Sequence, residues 1–285
     1  MQERNGRGIV IFACGNPLYG QAAYNLAMTI KRMGNVEIAV MFNGQGLSFL
    51  SQDQLEYFDH VIHIDEAIPA STICKLYANE YTPFKDTLLL DADMLWLPFK
   101  NPNALFDLLQ GITITGITEG KEDHLPLPQY FFWAAVEEIR EKYQIKSMIH
   151  QWRTEVMYFN EEGGKIIERA KDICITHDLK TVKNFAHRVP DELGVNIATA
   201  EAGIGPHEYR WIPAFWATRH GNRVPALQEL DNQGYYLMSF GSNVNNQTIK
   251  GVYDIIMDNS CSHFGRTHIF RLQDKKTHIP ERDSM

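Results

Sequence analysis

The sequence has no long apolar segment. All of its apolar runs fall short of the roughly 18 residues that a membrane-spanning helix requires. The first ten residues, MQERNGRGIV, are polar and lead directly into a strand-like run, whereas a signal peptide carries an apolar region before its cleavage site. We therefore expect a cytoplasmic protein that does not insert into a membrane.

Closely spaced cysteine pairs are missing as well. The chain contains four scattered cysteines and no CxxC pair: Cys14, Cys74, Cys174 and Cys261. This spacing indicates neither a zinc site nor a disulfide framework, so we expect reduced thiols.

Basic residues are in the minority. The chain has 27 Lys and Arg residues against 35 Asp and Glu residues, and its formal charge at pH 7 is −8. This balance argues against a protein that binds nucleic acid through its overall electrostatic field. A local basic groove is nevertheless compatible with a negative net charge. Internal repeats and low-complexity tracts are also absent from the sequence.

What the first third does contain is an alternation of strand and helix patterns. The strand candidates are GIVIFACG, VEIAVMFNG, DHVIHID and DTLLLDADM, and the helical segments include YGQAAYNLAMTIKRMG and STICKLYANEYTPF. Such alternation predicts an α/β fold with a mostly parallel sheet that helices cover on both faces. Ligands of these sheets bind outside the carboxyl ends of the strands, where residues 14–15 and 91–93 would lie.

The second half has a less regular pattern. GITITGI, RTEVMYFN, GYYLMSFG and GVYDIIMDN are strand candidates, while GGKIIERAKDICITH and PDELGVNIATAEAG are helix candidates. The aromatic segment 209–225 has poor periodicity, which predicts a long loop over one rim of the sheet. We expect one domain over residues 1–285, with a nucleotide-binding half of about 8–110, an acceptor and catalytic half of about 111–272, and a tail at 273–285.

Two carboxylates stand inside an apolar run. In LLLDADMLWL, Asp91 and Asp93 would share a face of a continuing strand and Ala92 would point away. Two hard carboxylate oxygens can hold Mg²⁺ or Mn²⁺ and leave coordination positions open for a diphosphate. In the alternative, both aspartates cap the strand end and the next turn. A haloacid-dehalogenase-like phosphatase is a less favoured alternative, because Met94 and Leu95 follow the pair and at least three strand candidates precede it.

Five stretches taken in order resemble the retaining family-eight glycosyltransferases, the group of glycogenin and bacterial galactosyltransferases. The stretches are NPLYGQAAYNLAMTIKRMG, CKLYANEYTPFKDTLLLDADMLWLPFKNPNALFDL, RTEVMYFN, VPDELGVNIA and SHFGRTHIF, and together they cover most of residues 8–270. The resemblance implies the GT-A nucleotide-diphospho-sugar transferase fold, with a mostly parallel, Rossmann-like sheet flanked by helices.

The chain also departs from that family at three places. Where the family has Asn-Ser-Gly, this chain has Arg153, Thr154 and Glu155, and Glu192 replaces an amide. The late histidine signature is one residue short and lacks its Lys-Pro-Trp, which leaves open whether residue 266 or residue 268 takes the lysine's place at the phosphates.

The resemblance implies three sets of site residues. The metal ligands are Asp91, Asp93 and His263, and an imidazole among hard oxygen ligands shifts the preference from Mg²⁺ toward Mn²⁺. The residues assigned to the nucleotide-sugar donor are Ala13, Cys14, Tyr19, Lys75, Asp91, Ala92, Gly265 and Arg266. The residues assigned to catalysis are Asp191, Glu192 and Lys75.

Each assignment has an ordinary structural alternative. His263 can be a polar residue near a strand end, Lys75 a solvated lysine on a helix face, and Tyr19 a rim residue rather than a platform for uracil. Asp191 and Glu192 follow a proline, where the helix dipole favours acids. If Glu192 instead faces the anomeric carbon, it can stabilise an oxocarbenium-like centre or attack it, and both roles remain open.

The resemblance further implies the reaction. We expect a metal-dependent transfer of a sugar, with retention of configuration, from a nucleotide-diphosphate donor such as a UDP-sugar to a hydroxyl. Candidate acceptors are a glycan, a protein, a small molecule, or a hydroxymethylated base of viral DNA, because the basic stretches 218–224 and 265–276 could line a groove. The alternative from another class is a non-catalytic sugar-nucleotide binding module, which the charged residues at 153–155 favour.

Overall fold

The computed structural model describes residues 4–69, 71–121, 130–131, 134–177, 179, 189–205, 214–216, 226–240 and 247–265. The strands within these residues are β1 (Arg7–Phe12), β2 (Glu37–Phe42), β3 (His60–His63), β4 (Asp86–Asp91), β5 (Met94–Trp96), β6 (Ile114–Lys121), β7 (Tyr130–Phe131), β8 (Ala134–Ala135), β9 (His150–Phe159), β10 (Ala214–Trp216) and β11 (Leu237–Ser239).

The same residues form helices of very different lengths. The α-helices are α1 (Pro17–Met33), α2 (Gln52–Leu55), α3 (Ala78–Tyr81), α4 (Pro102–Leu108), α5 (Val136–Tyr143), α6 (Glu161–Thr176), α7 (Asp191–Glu201), α8 (Leu227–Asn232) and α9 (Gln247–Phe264), and a 3₁₀ helix spans Thr72–Tyr77. None of the helices in the described part of the chain combines the length and apolarity of a membrane span.

A six-stranded sheet forms the centre of the fold, in the order β3-β2-β1-β4-β9-β6. Strands β1 to β4 pair in parallel, whereas β9 runs antiparallel to both β4 and β6. This arrangement confirms the predicted α/β fold with a mostly parallel sheet. Because β1 and β4 are parallel neighbours, their carboxyl ends meet at one edge of the sheet.

Helices bury both faces of this sheet. In β4, Leu88 and Leu90 pack into the core that α1, α4 and α9 share, while Leu89 packs into the opposite core with α6 and α7. Since side chains of a strand alternate between its two faces, Asp91 at the end of β4 lies on the side of Leu89. Its carboxylate therefore faces the 3₁₀ helix and α7.

The strand that carries the aspartates is shorter than predicted. β4 ends at Asp91, residues 92–93 form a turn, and the chain continues as β5 in a second sheet of order β10-β11-β5. The sequence-based argument that strand alternation puts Asp91 and Asp93 on one face is therefore wrong, because the turn interrupts the alternation. Ala92 does point away, into the core beside α1.

Three further sequence-based expectations need correction. Residues 251–259 are helical, not a strand, since the buried residues Tyr253, Ile256, Met257 and Cys261 recur at the three- and four-residue spacing of a helix. The segment 209–225 is not wholly a loop, because it contains β10, which pairs in parallel with β11. Lys75 is buried on a 3₁₀ helix and is not a solvated lysine on a helix face.

Candidate active site

The candidate site lies where β1 and β4 end side by side. Phe12, the last residue of β1, pairs with Asp91, the last residue of β4. Ala13 and Cys14 follow β1, both are buried, and the Ala13 amide donates to the Met41 carbonyl at the end of β2. The structure thus brings the predicted donor-binding loop and the aspartate strand together at one edge of the sheet.

Glycines allow the loops after β1 and β2 to pack closely. A Cβ atom on Gly20, in the second turn of α1, would lie 2.2 Å from the Gly46 carbonyl oxygen, and a Cβ on Gly46 would lie 2.2 Å from the Ala13 carbonyl oxygen. Gly15 adopts a φ of 84°, which few other residues tolerate. Tyr19 is partly buried in the first turn of α1 and packs against the same core as Leu18.

Lys75 and Asp91 form a buried ion pair at this edge. The Lys75 Nζ atom lies 2.8 Å from Asp91 Oδ1 and donates a hydrogen bond of 2.9 Å to Oδ2. The side chains are 5% and 19% exposed, respectively. Oδ1 accepts no hydrogen bond with acceptable geometry from a described residue. The 3₁₀ helix therefore supplies the cation that the buried carboxylate of β4 requires.

Asp191, the first residue of α7, joins this pair through Thr154 of β9. The Thr154 hydroxyl donates a hydrogen bond of 2.6 Å to Asp191 Oδ2 and accepts one of 3.5 Å from Lys75 Nζ. Lys75 Nζ also lies 4.0 Å from Asp191 Oδ2. A continuous polar chain thus runs from Asp91 through Lys75 and Thr154 to Asp191.

Glu192, the next residue of α7, pairs with Arg153. Arg153 Nη1 lies 2.9 Å and 3.1 Å from the two carboxylate oxygens of Glu192, and the side chains are 18% and 20% exposed. Two of the charged departures from the family pattern, Arg153 and Glu192, therefore contact each other. Within the described residues, the positive charge of Arg153 therefore balances the negative charge of Glu192.

Burial and neighbouring charges change the ionisation of this cluster. Burial raises the pKa of Asp91 to about 7, and the charges of Asp93 and Asp191 act in the same direction, whereas Lys75 opposes them. Burial alone lowers the pKa of Lys75. The negative charges of Asp91 and Asp191 outweigh this effect, so the pKa of Lys75 lies above its ordinary value. Burial also raises the pKa of Glu192, against the effect of Arg153.

Two of the three predicted metal ligands fit a hard cation. Asp91 has an oxygen without a hydrogen bond, and Asp93 is half-buried two residues away, with its charge acting on Asp91. Carboxylate oxygens are the ligands that Mg²⁺ and Mn²⁺ prefer. Among the described residues at this edge, carboxylates outnumber cations, which also favours a divalent ion.

The third predicted ligand lies apart from the aspartates. His263 is exposed in the last turn of α9, and its ring contacts Phe264, which packs against Tyr57. Across the described ranges, no three His, Cys, Asp or Glu side chains form a metal cluster. The structure therefore does not bring His263 together with Asp91 and Asp93, and its role as a ligand stays a prediction.

Only the first part of the late histidine signature, SHFGRTHIF, lies within the described residues. Gly265 follows the last residue of α9 and has a φ of 63°, a conformation that favours glycine. Arg266 lies outside the described residues, as do most of the basic stretches 218–224 and 265–276. Their roles at the phosphates and in a basic groove remain predictions.

Sequence reasoning missed two contacts of the site. It treated residues 153–155 as a departure that weakens the case for catalysis, whereas Thr154 connects Lys75 to Asp191 and Arg153 pairs with Glu192. A signal was present in the sequence, because Arg153 and Glu192 introduce opposite charges at two positions where the family has uncharged groups.

Comparisons with known proteins identify the fold of the chain. No protein-family model matches the chain, and no curated protein matches it in sequence. The bifunctional glycosyltransferase WbbM, in its apo structure, gives a TM-score of 0.57 at 11% identity, over 92% of this chain and 52% of WbbM. The chain therefore spans about half the length of WbbM.

The galactosyltransferase LgtC is similar over nearly its whole length. Its complex with donor and acceptor sugar analogs gives a TM-score of 0.50 at 12% identity, over 88% of this chain and 95% of LgtC. An active-site variant of LgtC, with glutamate in place of a glutamine, gives a TM-score of 0.50 at 11% identity over the same shares. These likenesses show that the chain has the GT-A glycosyltransferase fold, which the resemblance in sequence implied.

Proposed function

We propose that this chain is a glycosyltransferase that moves a sugar from a nucleotide-diphosphate donor, a UDP-sugar, to a hydroxyl acceptor with retention of configuration. The observation that carries the proposal is the polar chain from Asp91 through Lys75 and Thr154 to Asp191, at the carboxyl ends of the central strands. In a sheet of this kind that edge is where ligands bind. The GT-A fold also supports the proposal of a glycosyltransferase.

The donor has a candidate binding surface along this edge. Ala13, Cys14 and Ala92 line the ends of β1 and β4 and would contact the nucleotide through the backbone, while Tyr19 would stack on the base. Lys75 would place its positive charge beside the diphosphate. Gly265 and Arg266 are further candidates for the diphosphate, from the resemblance in sequence.

A divalent cation, Mn²⁺ or Mg²⁺, completes the proposal. Asp91 and Asp93 would hold it; the resemblance implies His263 as a third ligand, which the described structure does not bring together with the two aspartates. When bound, such an ion stabilises the negative charge of the departing diphosphate. The protein's own contribution is to keep the Asp91 carboxylate oriented, which Lys75 does through two contacts within 3 Å.

Asp191 and Glu192 would face the donor sugar. Thr154 of β9 holds the Asp191 carboxylate, and its neighbour Arg153 holds the Glu192 carboxylate. Asp191 would then accept hydrogen bonds from sugar hydroxyls, while the Glu192 carboxylate would stabilise positive charge at the anomeric carbon. The acceptor is a glycan, a protein side chain, a small molecule, or a hydroxymethylated base in DNA, and the described residues favour none of these.

Donor hydrolysis tests the proposal, because a sugar transferase without its acceptor slowly transfers sugar to water. We expect the protein to hydrolyse at least one UDP-sugar in Mn²⁺ and to lose this activity in excess chelator. We also expect NMR of the first product from an α-linked donor to show an α linkage. Mn²⁺-dependent binding of a nucleotide sugar in a thermal-shift assay, without hydrolysis or transfer, would instead establish the non-catalytic binding module.

Glu192→Gln separates a catalytic role from a structural one. If the carboxylate faces the anomeric carbon, its loss should lower turnover about 10²-fold while donor affinity hardly changes, because the interaction forms mainly in the transition state. If Glu192 only favours the start of α7, the change should cost at most about 1 kcal/mol of stability and leave turnover intact. Steady-state kinetics and thermal melting of the same preparation distinguish the two outcomes.

A further inference from the structure

Arg153 occupies a position that two neighbouring contacts fix. One residue before it, the Trp152 amide of β9 donates a 2.7 Å hydrogen bond to Asn196 Oδ1 of α7. One residue after it, the Thr154 hydroxyl donates a 2.6 Å hydrogen bond to Asp191. Arg153 therefore lies between two links that join the same strand to the same helix, and the register of β9 against α7 cannot slip without breaking both.

An irregularity in β9 brings adjacent side chains to the same helix end. Gly116 of β6 pairs with Met157, but the next residue, Ile117, pairs with Arg153, so residues 154–156 have no partner in β6. In a regular strand, adjacent side chains point to opposite faces. At this bulge, Arg153 and Thr154 both reach the first turn of α7.

The charges around Glu192 depend on Arg153. The groups that act on the Glu192 carboxylate are Arg153 from β9, Asp191 from its own helix, and Lys75 from the 3₁₀ helix. Burial and Asp191 favour the protonated form, while Arg153 and Lys75 favour the anion. Arg153 is in direct contact with the carboxylate, whereas Lys75 already contacts Asp91, so Arg153 is the principal cation of Glu192.

We propose that Arg153 is a positioning residue that holds the Glu192 carboxylate in place as an anion and affects sugar transfer only through Glu192. The inference deepens the proposed function and rests on it. It assigns a purpose to the departure at position 153: the arginine accompanies the replacement of an amide by a carboxylate. Without Arg153, Glu192 takes up a proton at a higher pH and loses its fixed orientation.

The test measures donor hydrolysis in Mn²⁺ over roughly pH 5 to 9 for the wild type, Arg153→Gln and Arg153→Lys. Removing an opposite charge in direct contact raises a carboxyl pKa by about one unit or more. We therefore expect the acid limb of the pH profile of turnover to move up by at least about one pH unit in Arg153→Gln. At pH values below that limb, turnover should be about tenfold lower than in the wild type. Arg153→Lys retains the positive charge and should keep the limb near its wild-type position.

The chain offers a matched control on the same helix. Arg169 donates two hydrogen bonds of 2.8 Å to Glu201 at the other end of α7. Arg169→Gln removes an arginine–glutamate pair in the same way, and it should leave the acid limb unchanged. If Arg153→Gln and Arg169→Gln both lower thermal stability but neither moves the limb, Arg153 has only a structural role and the inference is wrong.

The Glu192→Gln background shows whether Arg153 acts through Glu192. In that background, Arg153→Gln should reduce turnover less than twofold, since the carboxylate is already gone. An equal loss in both backgrounds would mean that Arg153 contacts the substrate directly, which also overturns the inference.

A second readout does not depend on activity. ¹³C NMR of carboxyl-labelled glutamate, with the Glu192 signal identified by its loss in Glu192→Gln, should show a higher pKa of Glu192 in Arg153→Gln and no change in Arg169→Gln. If the wild type hydrolyses no nucleotide sugar, the proposed function fails, and this titration still tests the effect of Arg153. An unchanged pKa of Glu192 contradicts the inference whatever the activity.

Discussion

Lys75→Met is expected to abolish most turnover and to destabilise the protein. The change leaves two carboxylates, Asp91 and Asp191, without the cation that lies within 4.0 Å of both. Removing one partner of a buried ion pair costs about 3 to 5 kcal/mol. Loss of a preorganised charge beside the departing diphosphate should lower turnover roughly 10³-fold. Steady-state donor hydrolysis and urea unfolding measure the two effects.

A control separates the buried pair from ordinary surface ion pairs. Lys100 lies 2.7 Å from Asp231 at a more exposed position, with side chains 18% and 31% exposed. Lys100→Met should change the free energy of unfolding by no more than about 1 kcal/mol and leave turnover unchanged. Should Lys75→Met retain wild-type turnover at a temperature where it is folded, Lys75 has no part in the reaction.

Asp93→Asn is expected to cause a similar loss of activity with little loss of stability. Asp93 is half-buried in the turn between β4 and β5, and asparagine has nearly the same shape, so the fold should persist. The change removes a negatively charged ligand of the proposed ion, which should lower turnover roughly 10³-fold and weaken Mn²⁺ binding. Titrating Mn²⁺ at saturating donor should show a higher concentration for half-maximal activity.

A control variant and a chelator experiment test whether Asp93 acts through a bound metal ion. Asp231→Asn, a change of the same chemistry far along the chain, should leave the Mn²⁺ dependence as in the wild type. Full activity of the wild type in excess chelator would contradict the metal assignment of Asp91 and Asp93. If Asp93→Asn loses donor binding in the absence of metal as well, Asp93 contacts the donor directly.

Local sequence patterns predicted most of the central sheet. The apolar run Leu88–Leu90 predicted a strand that is buried on both faces, and β4 confirms it. Strand and helix alternation predicted a mostly parallel sheet with residues 14–15 and 91–93 at one edge, and the neighbouring ends of β1 and β4 agree with it. These predictions succeeded because a short run of side chains sets both the type of an element and the direction of its carboxyl end.

The predictions failed where tertiary packing competes with local pattern. Residues 251–259 contain enough apolar residues to suggest a strand, but the core beside α1 selects the helical spacing of Tyr253, Ile256 and Met257. The turn after Asp91 likewise depends on β5 pairing with β11, a strand that lies more than a hundred residues further along the chain. A window of ten residues carries no information about such partners.

By itself, the sequence pointed to the carboxylates and the lysine of the candidate site, but not to the parts that Arg153 and Thr154 play there. Asp91 stands out by its place in an apolar run, while the resemblance implies the roles of Lys75, Asp191 and Glu192. Carboxylates next to apolar strands already imply that cations must accompany them. Only the tertiary structure decided which cation accompanies which carboxylate. Lys75 pairs with Asp91 across 16 residues of chain, and Arg153 pairs with Glu192 across 39. The physical reason is that ion pairs depend on distance in space, which the sheet order and the bulge in β9 set and local sequence does not.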